Sequence, residues 1–119
     1  MRFTFIGAAL TALALAGCSP TAPTLAEDLP LNTPAGCAQR GGTMDRVGRL
    51  QTMQCVIPYA DAGKACRADA DCAGACWAPD GVDAAPGATV AGVCQANSNT
   101  FGCHTTVIDG KAGQTLCKD

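Results

Sequence analysis

Aromatic residues make up only 4% of this 119-residue chain, and it holds one histidine, one tryptophan and one tyrosine. Beyond an apolar N-terminal stretch the aromatics are Tyr59, Trp77 and Phe101, and the larger aliphatics are chiefly Leu50, Val56, Ile57, Val93, Val107, Ile108 and Leu116, with Met44 and Met53. Apolar burial stabilises by roughly 25 cal/mol per Å², while ordering costs about 1.5 kcal/mol per residue, so so thin an inventory does not hold a fold alone. Basic charge is sparse too: eight Lys and Arg are dispersed among ten Asp and Glu. With no basic run or stripe to neutralise phosphates, nucleic acid and anionic headgroups are excluded as expected partners. Catalytic signatures are missing as well. There is no Gly-x-Ser-x-Gly and no Cys-x-x-Cys, and the lone His104 sits beside Cys103 rather than near a nucleophile. His104 therefore reads as a surface strand residue, and the chain as a non-enzyme without a cofactor.

What the chain does have begins at its N-terminus. Arg2 gives a charged start, Phe3 to Ala16 carries no charge, and small residues lead to a cysteine in Leu15-Ala16-Gly17-Cys18. A transmembrane helix needs ~20 apolar residues, whereas a signal-peptide apolar region has ~7–15 ended by small side chains. These residues resemble the lipobox of bacterial lipoproteins. That resemblance implies cleavage after Gly17, a diacylglycerol on the Cys18 sulfur and an acyl chain of the palmitate type on the new amino terminus. Residues 1–17 are then a signal peptide lost from the mature protein. Two or three acyl chains anchor firmly where one binds only reversibly. Ser19 follows the cysteine in place of the Asp that commonly signals inner-membrane retention in such lipoproteins. The expected location is therefore the bacterial cell envelope, at the outer membrane and facing the periplasm in a host with two membranes. Without residues 1–17, seven basic residues stand against ten acidic ones.

Setting Cys18 aside for lipid leaves Cys37, Cys55, Cys66, Cys72, Cys76, Cys94, Cys103 and Cys117. Their number is even, and export through an oxidising compartment favours four disulfides in a domain with an inadequate core. Each bridge closing a loop of ~15 residues contributes ~3 kcal/mol in the chain-entropy model. Zinc is the competing chemistry. Structural zinc sites repeat cysteine pairs two to four residues apart, and only Cys72 and Cys76 fall in that window. No metal is expected there.

The mature chain opens with Ser19-Pro20-Thr21-Ala22-Pro23-Thr24 and passes Pro30 and Pro34. Residues 18–35 read as the lipidated cysteine and a proline-rich tether, extending ~3.1 Å per residue. The cysteine-rich domain is 36–119. No window in it sustains helical periodicity. Glycines at 36, 41, 42 and 48 mark turns, and Met53, Cys55 and Ile57 alternate with Gln54 and Val56 as a half-buried strand that Pro58 ends. At the C-terminus, Thr105-Thr106-Val107-Ile108, the turn pair Asp109-Gly110 and the return through Lys111 to Cys117 predict a hairpin. A strict two-residue turn at Asp109-Gly110 sets Cys103 against Leu116 and leaves Cys117 one step off. A bulge at Gly113, or a loop one residue longer, pairs Cys103 with Cys117. A Cys103–Cys117 bridge is predicted accordingly. Gly36-Cys37 echoes Gly102-Cys103, and Gln51-Thr52-Met53-Gln54-Cys55 echoes Gln114-Thr115-Leu116-Cys117, so Cys37–Cys55 follows by analogy.

The centre holds Cys66-Arg67-Ala68-Asp69-Ala70-Asp71-Cys72-Ala73-Gly74-Ala75-Cys76, and then Gly92-Val93-Cys94. A Cys66–Cys76 bridge with Cys72 reaching Cys94 is one compact pairing, although eight cysteines allow 105. The Cys-x5-Cys-x3-Cys run, with an acidic pair before its second cysteine and a glycine after it, resembles small disulfide modules of the Dickkopf, colipase and whey-acidic-protein kind. It lacks the paired terminal cysteines of the whey-acidic pattern. Arg40-Gly41-Gly42-Thr43, Pro58-Tyr59-Ala60-Asp61-Ala62-Gly63-Lys64 and Phe101-Gly102-Cys103 with this cluster resemble a group of small bacterial lipoproteins of uncharacterised function. Asp61, Asp69, Asp71, Asp80 and Asp83 crowd the same region. They form no EF-hand loop and read as turn carboxylates rather than calcium ligands.

The sequence thus predicts a small disulfide-rich domain of short β-hairpins and loops. The function expected of it is binding or envelope structure on a lipid anchor. Tyr59, Trp77 and Phe101 are the candidate recognition side chains, with core packing as their competing role. The loop from Trp77 to Gly92 is the favoured binding loop, and an envelope protein is the favoured partner. The alternative is an inhibitor that inserts this loop into an exported hydrolase.

Overall fold

A computed structural model describes residues 28–119. The expected signal peptide, Cys18 and the start of the expected tether lie outside the described residues. The domain is mostly β and holds four disulfides, as the sequence predicts, and it adds one short helix that the sequence reading does not contain.

Helix α1 (Pro34–Gln39) is a single capped turn and a half. The Thr33 hydroxyl oxygen accepts from Gly36 N at 3.1 Å, and Pro34 starts the helix where its missing N–H costs nothing. The same hydroxyl donates to Pro30 O at 2.8 Å, Leu29 N donates to Gln39 Oε1, and Asp28 pairs with Arg40 at 2.7 Å. Residues 28–35, placed by the sequence at the end of the tether, therefore fold back on the domain. Six residues are too few for periodicity to register, which is why α1 is invisible in the pattern.

Strands β1 (Thr43–Val47) and β2 (Thr52–Val56) form an antiparallel hairpin, and Cys37–Cys55 pins α1 to it. Met53 is exposed, so the alternation expected across residues 53–57 selects no buried methionine. The chain then runs beside residues 96–98. Tyr59 N donates to Ala96 O at 3.0 Å, and Ile57 and Ser98 exchange two bonds of 2.9 Å. This seam ties the hairpin to the second sheet.

That sheet is antiparallel and has the strand order β3 (Ala65–Cys66), β5 (Gly92–Cys94), β4 (Cys76–Trp77), β6 (Gly102–Ile108), β7 (Lys111–Lys118). The β6–β7 hairpin turns at Asp109-Gly110. Both residues have positive φ, 51° and 75°, as a type I′ turn requires. Its core is mainly sulfur. Cys66, Cys76, Cys94 and Val107 are buried together, with Cys72, Ala78 and Val90 against them. Of the larger aliphatics among the described residues only Val47 and Val107 are buried, while Leu50, Ile108 and Leu116 are exposed. Two cross-linked disulfides occupy the volume that branched side chains would otherwise fill.

Candidate ligand-binding cleft

Strand pairing decides which side chains meet. Trp77 lies opposite Val93 on β5 and Thr106 on β6, so these three project from one face of the sheet. His104, two residues before Thr106, shares that face, as does Leu116, its partner on β7. The other face carries Cys76, Cys94 and Val107, which are buried. The sulfur core thus backs one side of the sheet and leaves the aromatic side half-exposed.

On that side Trp77 and His104 stack, with centroids 3.6 Å apart and planes 8° from parallel. The imidazole is fixed at one edge as well, 3.1 Å from Nε2 to Phe101 O. A carbonyl only accepts, so Nε2 is the donor in this contact. His104 is a strand residue, as expected, but one held against tryptophan rather than solvated. Nothing in the spacing signals this, because Trp77 and His104 meet only through the β4–β6 pairing.

Beside the stack an open cleft of about 340 Å³ is bounded by Trp77, His104, Phe101, Asp80 and the segment after β5. Gln95 braces that segment from beneath. It is buried, and its Oε1 accepts from Ala75 N while Nε2 donates to Asn99 O, both at 3.1 Å. Asn97 Oδ1 accepts from Asn99 N at 2.9 Å and Asn99 Oδ1 from Phe101 N at 3.0 Å, two local turns that carry the chain into β6. Phe101 is also a packing residue. Its ring lies against Gly48, where a Cβ would come within 2.7 Å of it, and the Lys118 ammonium sits 4.9 Å from its centroid.

Of the three aromatics singled out in the sequence, Trp77 and Phe101 line this cleft and Tyr59 does not. The Tyr59 ring packs over Gly74, where a Cβ would meet it at 2.6 Å. The loop after Trp77 is fastened at its far end. Gly87 N donates to Ala112 O at 2.7 Å, Ala112 N to Ala88 O at 2.8 Å and Val90 N to Gly110 O at 3.1 Å. Residues 79–86 form its free arch.

The central carboxylates cap backbone. Asp69 Oδ1 accepts from Cys76 N and Asp71 Oδ2 from Arg67 N, each at 2.8 Å, and Asp61 Oδ2 accepts from Ala73 N at 2.7 Å. The bonds from Arg67 N and then Ala68 N hold the Asp71 carboxyl below its ordinary range, with lesser help from Lys64 and Arg67. Sulfurs of Cys66, Cys72 and Cys76 lie within 4.8 Å of one another, as do Asp61, Cys72 and Cys94. These sulfurs are spent in Cys66–Cys76 and Cys72–Cys94, and a disulfide sulfur is no thiolate ligand.

Among the described residues no helix is long and apolar enough to cross a membrane. No protein-family model, curated protein or solved structure matches the chain.

Proposed function

We propose that this chain is a lipid-anchored, non-catalytic protein of the bacterial envelope whose disulfide-stapled domain binds through the cleft beside Trp77. One observation carries the binding role. A mature chain with only three aromatics places Trp77 on the uncovered face of its main sheet, flat against His104, while sulfur fills the core. Indole left half-exposed and immobilised is a pre-organised contact surface, with little rotamer entropy left to lose on binding. The anchor is supported by Leu15-Ala16-Gly17-Cys18 and by pairing, since the eight cysteines from 37 to 117 bond among themselves and leave none for Cys18. Against catalysis stand the engagement of His104 by Phe101 O and the oxidation of every described cysteine.

Intact mass of the membrane-extracted protein, before and after reduction and alkylation, tests the anchor. A chain starting at Cys18 with a lipid adduct, and eight alkylations only after reduction, is the expected result. An unlipidated chain or a free thiol overturns it. Co-sedimentation of that protein with delipidated envelope fragments tests binding, with retention that Trp77→Ala abolishes as the supporting outcome.

A further inference from the structure

The chemistry of the cleft narrows what fills it. No lysine or arginine lines it, and Asp80 stands at its rim. A phosphate or an acidic peptide would meet no cation among the lining residues, Lys118 standing instead over the Phe101 ring, and would be repelled by the carboxylate. A purely apolar ligand fits poorly as well, because the polar groups of the cleft keep hydrogen-bonding capacity in hand. The side-chain oxygens of Asn97 and Asn99 are occupied by Asn99 N and Phe101 N, which fixes the orientation of both amides. Their Nδ2 groups make no hydrogen bond among the described residues and are two free donors. The Asp80 carboxylate makes no hydrogen bond among the described residues and is an acceptor. Donors and acceptors therefore share the cleft with the half-exposed Trp77 indole, one face of which is taken by His104. A pyranose needs this combination, since one face of its ring presents C–H groups and its rim presents neighbouring hydroxyls that each donate and accept. The volume of about 340 Å³ lies at the low end of ligand pockets, ~300–1,000 Å³, and suits one or two rings.

We propose that the cleft binds an uncharged saccharide, one pyranose ring resting at Trp77 with its hydroxyls shared among the Asn97 and Asn99 amides and the Asp80 carboxylate. This rests on the reading of the domain as a binding module and adds the ligand class. Asn97 and Asn99 act as positioned donors, and Asp80 selects neutral over anionic sugars.

Trp77 is the only tryptophan in the chain, so its emission reports on this site without a label. The mature lipoprotein in detergent is titrated with three neutral trisaccharides, those of N-acetylglucosamine, β-linked glucose and α-linked glucose, and with the blocked peptide acetyl-Ala-Tyr-Leu-Thr-Ala-amide. The expected result is a saturable emission change with at least one trisaccharide. Asn97→Asp and Asn99→Asp keep the oxygens that hold the turns but remove the donors. Each is expected to weaken saccharide binding at least fivefold with the thermal midpoint little changed. A saccharide response indifferent to both variants overturns the proposed site. A saturable response to the peptide alone overturns the saccharide and keeps the binding cleft. Silence with all four probes removes the ligand class and the cleft together.

Discussion

Cys103 lies opposite Cys117, Cα to Cα 3.9 Å, because β7 carries one residue more than β6 between the Asp109-Gly110 turn and the bridge. Next to the turn Ile108 faces Lys111 and Val107 faces Ala112, whereas beyond it Thr105 faces Thr115 and Cys103 faces Cys117. Gly113 and Gln114 on β7 thus oppose Thr106 alone, a β-bulge that corrects the register by one. The turn keeps its two-residue form, and the bulge, rather than a longer loop, brings the cysteines together.

Deleting Gly113 should accordingly leave the bridge intact. The extra residue goes, the ladder becomes regular, and Cys103 still meets Cys117. Peptide mapping without reduction should recover the two cysteines linked. Scrambled pairing would mean that the bulge is needed for more than register.

The disulfides should rank against the entropy of their loops. Cys66–Cys76 closes the shortest, a separation of 10, and Cys103–Cys117 spans 14. Chain entropy alone assigns both about 3 kcal/mol, slightly more to the longer. Cys66 and Cys76 are nevertheless 5% and 0% exposed at the centre of the core, while Cys103 and Cys117 are on the surface. Replacing Cys66 and Cys76 by Ala should therefore cost at least about 2 kcal/mol more than the same change at 103 and 117, through the cavity left behind. Urea midpoints of the two double variants decide it, and equal losses would show that the sulfurs contribute no packing.

How far the sequence was legible follows from the range of each interaction. The β6–β7 hairpin could be read because turn, strands and cysteines all lie within 102–118, and local chemistry determines them. Cys37–Cys55 could be reached by analogy, but the geometry behind it differs. Cys37 bonds from a helix and Cys55 from a strand, while Cys103 and Cys117 face each other across a ladder. The Trp77–His104 stack was out of reach, since β4 has two residues and one pairing with β6, too little to leave a pattern. Val47 and Val107 are buried and Ile108 is not, a distinction that alternation along β6 decides only once the sulfur core defines which face is inside.

Asp71 should make stability fall in acid. Its folded pKa is depressed by the Arg67 and Ala68 N–H groups, so the stability it contributes is fully present above the unfolded value, ~3.9, and is lost as pH drops through the lower folded value. Both amides donate to the one oxygen Oδ2, so Asp71→Asn keeps an acceptor for them but does not titrate. The difference in urea midpoint between wild type and variant, present at pH 7, should narrow below pH ~4. A gap independent of pH would assign the effect of Asp71 to turn geometry alone.

Gly92 should govern whether the central disulfide forms. It faces Cys66 across the β3–β5 ladder, and a Cβ built there would lie 2.5 Å from Cys76 Sγ and 3.0 Å from Cys66 Sγ. Neither sulfur can retreat easily, because Cys76 is fully buried and its strand is held between β5 and β6. Small-to-large changes in a packed core cost about 1–3 kcal/mol when backbone must shift, and here the side chain displaced is itself a cross-link. Gly92→Ala should therefore refold with Cys66–Cys76 open in part of the molecules, giving free thiols that react with a chromogenic disulfide before reduction, while Cys103–Cys117 forms normally. Gly81→Ala serves as the control for a glycine with positive φ but open space around its Cβ. It should retain all four bridges and lose only a modest increment of thermal stability. If Gly92→Ala also forms four native bridges, the β3–β5 ladder has enough freedom to open around the sulfurs, and the packing ascribed to the disulfide core is looser than these distances require.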